Sequence, residues 1–183
     1  MTSFQNYIIF SIYIALILST TVAPNITFSE HFAKLRPTTS KKMTRLHFYF
    51  HDIVSGKNPT AKIIIRPKNS FGMTAMIDDP LTVDTKPGST VVGRAQGLYA
   101  LASQHEPALL MAMNFVFTYG KYNGSALSIM GRNLVVDAVR EMPVIGGMGL
   151  FRYARGYALA STVRYNPKTG DAVVQYNVTV MHG

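Results

Sequence analysis

From Leu46 onward the chain is a succession of short β-rich runs, separated by Gly, Pro, Asn and Asp at intervals too short for repeated helical crossovers. The runs are residues 46–54, 61–66, 71–77, 90–102, 109–119, 126–130, 151–165 and 172–180. Between them, Asp78-Asp79-Pro80, Lys86-Pro87-Gly88, residues 120–124 and residues 166–170 carry turn chemistry. Strands that follow one another this closely pair antiparallel, and these have apolar residues on both parities. An all-β fold follows: an eight-stranded antiparallel β-barrel, with one face lining the interior and the other covered by a partner subunit. Gly93, Gly97 and Gly156 inside the runs ease the bends that closure requires. Gly146-Gly147-Met148-Gly149 reads as a flexible turn.

The segment before the barrel has a different character. Tyr7 to Leu18 is free of charge and is followed by the small, polar run Ser19 to Ala23. Twelve residues span about 18 Å as a helix, short of the roughly 30 Å hydrocarbon core. Residues 1–23 therefore read as a signal peptide, cut between positions 19 and 29, and residues 30–44 as a flexible leader to a barrel domain over 45–183. Sequons at Asn25, Asn123 and Asn177 fit export to the apoplast, with no membrane attachment after cleavage, whereas Pro59 disqualifies Asn58. The chain has no Cys, so neither disulfides nor Cys-based metal sites are available. Its net charge of +9 raises nucleic acid as a partner. The positive residues are scattered singly, however, without a recognition motif, which excludes that class and leaves diffuse attraction to acidic wall polysaccharide.

The chemistry concentrates in the first run, LHFYFHDIV. A period of two puts Leu46, Phe48, Phe50 and Asp52 on one face and His47, Tyr49, His51 and Ile53 on the other. If the first face lines the barrel, Asp52 is a desolvated carboxyl among aromatic rings, held neutral and able to donate a proton; otherwise it caps the strand end. His47 and His51 sit roughly 13 Å apart on a strand, too far to share a metal. No nucleophile elbow, phosphate loop or dinucleotide fingerprint is present. An apolar, Tyr-containing barrel with isolated acids and arginines has the composition of a pocket for a small aromatic ligand, with no cofactor or metal.

Several segments, taken in order, resemble the dirigent family of plants: residues 48–53 (FYFHDI), 77–82 (IDDPLT), 92–99 (VGRAQGLY), 114–133, 140–158 and 170–182. The resemblance covers nearly all of the chain after the leader. It implies a trimer of barrels secreted to the apoplast, each holding a phenolic substrate or radical. Separate laccases or peroxidases make phenoxy radicals from monolignols such as coniferyl alcohol, and the dirigent protein fixes their faces so that coupling gives one enantiomer, which is catalysis by orientation. This is the leading expectation, in which the protein lacks oxidative activity of its own. The alternative, shared with members that form pterocarpans, is an enzyme that dehydrates an isoflavanol through a quinone methide. A non-catalytic wall-binding or defence protein is a third. The match carries Asp52 over as the acid, with Tyr99 and Arg140 as catalytic partners. Phe48, Phe50, Asn133 and Asp137 are expected to bind substrate. Lignan-forming members have Gly-Ala-Asp where this chain has Gly131-Arg132-Asn133, so an amide stands in place of one pocket acid.

Overall fold

The computed structural model describes residues 41–183 apart from Pro87. The signal segment, most of the leader and the Asn25 sequon lie outside the described residues. Nine strands follow one another: β1 (Lys42–Asp52), β2 (Ala61–Ile65), β3 (Thr74–Thr82), β4 (Val91–Leu101), β5 (Ala108–Phe117), β6 (Ala126–Leu134), β7 (Arg140–Met148), β8 (Arg155–Tyr165) and β9 (Ala172–His182). Sequential pairing runs from β3 through β9, β9 pairs with β1, and β1 pairs with β3. Eight antiparallel strands thus close into the expected barrel. The ninth, β2, takes over the edge of β3 that β1 leaves: β2 pairs with Thr74 to Ile77, and β1 with Leu81 and Thr82.

That interruption accounts for a departure from the sequence reading. Asp78-Asp79-Pro80 was expected to turn, yet it lies inside β3. The Asp78 N–H donates to the Thr60 carbonyl, 2.9 Å, on the edge where β2 gives way to β1. Alternation along the strand places the Pro80 nitrogen on the same edge, so its missing donor falls where the ladder is already broken. β7 departs in the same way, because residues 140–148 had no strand assigned and residues 146–149 were read as a turn. β6 pairs with β7 only from Ile129 and Val144 outward, leaving the half that carries Pro143 bonded to β8 alone. β1 also starts at Lys42, inside the span expected to be flexible leader, because Lys42 to Thr44 pair with His182 to Val180 of β9. β8 begins at Arg155 and not at Phe151, which closes a short 3₁₀ turn from Gly149.

Glycine serves strand contact at two positions. A Cβ at Gly156 would collide with the Thr179 carbonyl oxygen, and one at Gly97 with that of Ala112. The barrel interior is filled at mid-height by rings: Phe48 meets Phe115 edge-on at 5.0 Å and stacks on Tyr176 at 6.0 Å, while Phe117 tilts onto Phe151 at 5.6 Å. This aromatic plug divides the barrel, and the space above it forms the site.

Candidate functional site

At the end of the barrel where β1 stops and β7 starts, the interior opens into a cavity of about 450 Å³. Its floor is Phe50, Met111, Val174 and Tyr176, its rim includes Val135, Val136 and Tyr165, and its polar atoms come from Asp52, Tyr99, Asn133, Arg140 and Thr162. The five polar side chains come from five different strands, β1, β4, β6, β7 and β8, and meet near the same barrel end.

The alternation in β1 does what the sequence requires of it. Phe48 and Phe50 are buried, and Asp52 follows them inward into the cavity. Its Oδ1 is buried without a hydrogen-bond partner. Loss of solvent pushes the carboxyl up to about 6; the neighbouring Tyr99 hydroxyl partly offsets this, and the negative charge of Asp171 adds to it. Tyr99 is held neutral by burial and by the adjacent Asp52.

Arg140, at the first position of β7, is buried yet meets no carboxylate. Nε donates to Asn133 Oδ1 at 3.0 Å, Nη2 to Thr162 Oγ1 at 3.0 Å and Nη1 to the Asp137 carbonyl at 3.3 Å. The ion pairs among the described residues are Arg94 with Asp78 and Arg132 with Glu106, both outside the barrel. Burial lowers the guanidinium's pKa. Because Asn133 is an amide, it orients this cation without cancelling its charge, and an anionic ligand oxygen would find that charge free.

Of the residues expected from sequence, Asp52, Tyr99, Phe50, Asn133 and Arg140 are brought together. Phe48 is not among them: it lies in the aromatic plug beneath, because the strand carries it one inward position too deep. Asp137 is exposed on the β6–β7 connection and does not line the cavity; its backbone carbonyl accepts from Arg140, and its charge also acts on the guanidinium. His47 and His51 face outward to different partners, Asn177 at 2.8 Å and Thr82 at 2.7 Å. Asn123 and Asn177 are both exposed.

Sequence reasoning missed one carboxyl. Asp79 is fully buried; its Oδ1 accepts from Thr60 Oγ1 at 2.5 Å, and its Oδ2 has no partner. Burial pushes it up to about 8, against the Thr60 hydrogen bond and assisted by the charge of Asp52. Reading IDDPLT as a strand would have exposed the signal, since alternation puts Asp79 on the inward parity with Ile77 and Leu81. Thr162 and Tyr176 were also missed; in sequence they are ordinary strand residues.

With the geometry in hand, similar proteins can be placed. The family described as "Dirigent-like protein" matches residues 43–181. The chain is 46% identical to dirigent protein 21 of Arabidopsis thaliana over the whole of both chains. It is 43% identical to pterocarpan synthase 1 of Glycyrrhiza echinata, over 86% of this chain and 90% of that one. Among solved structures, a pterocarpan synthase dirigent protein superposes with a TM-score of 0.75 at 45% identity, covering 78% of this chain and 91% of the other.

Proposed function

The chain belongs to the dirigent family, and from that premise we propose that its cavity binds a phenolic alcohol and expels water from it through a quinone methide, a reading supported by its similarity to proteins named pterocarpan synthases. The observation that carries this reading is Asp52: an inward, desolvated carboxyl raised to about 6 beside the Tyr99 phenol, able to hold a proton at mildly acid pH. Asp52 protonates the departing hydroxyl, the C–O bond breaks, and water leaves. A phenolic oxygen of the same substrate then closes on the electron-poor carbon, returning its proton to Asp52. Arg140, which forms no ion pair with a carboxylate, steadies negative charge on a phenolate or quinone-methide oxygen, and the apolar floor fixes which face is attacked.

Stereodirected coupling of monolignol radicals is the second reading. It is favoured by the largely apolar wall and aromatic floor, which suffice to orient a ring without any acid. In either case the protein acts in the apoplast, and only the second needs a laccase or peroxidase. The readings separate in one experiment: purified protein is incubated with an isoflavanol panel and with coniferyl alcohol, each with and without laccase, and products are resolved on a chiral column. Optically active cyclised product without oxidase is the expected outcome. Activity that appears only with laccase, on coniferyl alcohol, would replace the first reading by the second.

A further inference from the structure

In the acid step proposed above Asp52 regains its proton at ring closure, and the fold places a second buried carboxyl, Asp79, where its charge is coupled to that of Asp52. We infer that Asp79 is a positioning residue for that step: a buried carboxylic acid at the β1–β3 seam whose charge coupling to Asp52 keeps one proton on the pair between turnovers. The inference rests on the dehydration reading but makes a physical claim that can be tested apart from it.

The geometry comes from the closing seam of the barrel. β1 meets β3 at Tyr49 with Thr82 and at Phe50 with Leu81. Beyond Phe50 the ladder to β1 ends and β3 is met by Thr60 of the β1–β2 connection, but both acids stay on the inward parity next to this seam, and the charge of Asp52 acts on Asp79. Asp79 does not line the cavity, so it lies behind Asp52 and not beside the ligand. One oxygen of each carboxyl, Asp52 Oδ1 and Asp79 Oδ2, is buried with no partner. Two coupled carboxyls with poorly solvated oxygens are costly if both are ionised, and the cost falls when one of them keeps a proton.

The remaining charged and titratable groups around the pair leave this conclusion intact. Thr60, on the β1–β2 connection, bonds the other Asp79 oxygen. Arg94 of β4 opposes the rise at Asp79, but it is committed to Asp78 on the outer face. Tyr99 of β4 and Tyr176 of β9 both stay neutral and are pushed further that way by the two acids. Asp171, from the β8–β9 connection, adds negative charge near Asp52. The balance of the step is unchanged: Asp52 gives a proton to the leaving hydroxyl, water departs, and the proton released at ring closure returns to the pair.

The test uses the full barrel protein with carboxyl-13C aspartate. In the wild type the pair is expected to titrate in two steps, near 6 and near 8. Asp52→Asn should lower the Asp79 midpoint, because the charge that raises it is gone. In rate measurements the alkaline limb of kcat/KM should lie near 8 in the wild type and fall to near 6 in Asp79→Asn. At pH 7.5 that difference amounts to a loss of roughly tenfold or more, with KM little changed. Thr60→Val keeps both carboxyls and should move the upper limb upward, which loss of packing alone would not do; it also decides the matter if Asp79→Asn fails to fold. An Asp79 midpoint indifferent to Asp52→Asn, or overlaid pH profiles, would overturn the inference. A wild type that turns over no phenolic at any pH would sink the dehydration reading, while the spectrum still decides whether the proton is shared.

Discussion

Single residues in this barrel are set by what surrounds them and not by their chemical type. Three aspartates show the range: Asp78 on the outer face is held below the ordinary carboxylate value by Arg94, whereas Asp52 and Asp79 on the inner side are raised to about 6 and about 8. The raised pair has a consequence for stability. An acid whose value rises on folding leaves the native state holding more protons than the unfolded chain, so stability falls as pH climbs from about 4 through about 8. Denaturant midpoints should therefore drop between pH 5 and pH 8.5, and the drop should shrink in Asp79→Asn; equal midpoints would show that neither acid is raised by folding. On the chemical side, Asp52→Asn is expected to cut oxidase-independent turnover by about 100-fold or more, as loss of a general acid does. Arg140→Lys keeps a charge but loses the fork that reaches Asn133 and Thr162 together. It should weaken substrate binding while leaving the pH limbs in place, a pattern read from KM and the rate profile.

At the scale of elements, the instructive cases are the strands that sequence patterns obscured. β3 and β7 each contain a proline, and each was masked by turn chemistry. In both, the proline sits where the ladder has a gap: at the change from β2 to β1 for Pro80, and on the unpaired half of β7 for Pro143. β1, by contrast, was readable because its alternation was clean from Leu46 to Asp52. Gly156 gives an element-scale test. Its α-hydrogen faces the Thr179 carbonyl of β9, where any side chain would collide. Gly156→Ala should destabilise the barrel by about 2 kcal/mol or more through separation of β8 from β9, measurable by chemical denaturation. A neutral substitution would mean that the strands can part without cost.

For the whole molecule, closure and plugging act together. The ring of eight strands removes free edges from the barrel, and the aromatic cluster around Phe115 and Tyr176 holds its mid-section solid, so that the open end keeps its shape as a cavity. Phe115 is fully buried, and Phe115→Ala should cost about 3–5 kcal/mol, the range for a large ring lost from a core. Outside the barrel, Met76, Leu98, Ala112 and Met130 align across β3 to β6, an apolar row on the outer parity. We propose that this row is where copies of the chain associate, as the trimer expected from the family requires. Sedimentation should show one larger species that Met130→Lys dissociates; a monomer in the unmodified protein would remove the proposal.

The sequence alone determined the all-β class, the antiparallel pairing and the face that Asp52 shares with Phe48 and Phe50, and the family resemblance pointed to Tyr99, Asn133 and Arg140, because alternation and family motifs are local in the chain; whether that face turned inward was left to the structure. It could not place Asp79, nor put Phe48 in the plug and not in the pocket, nor find β7. Those depend on how far along the barrel each inward position falls and on where one strand's ladder ends and another's begins. Closure settles both. Only when β1 meets β3, residues distant in sequence, are Asp52 and Asp79 both turned inward and desolvated, which raises them.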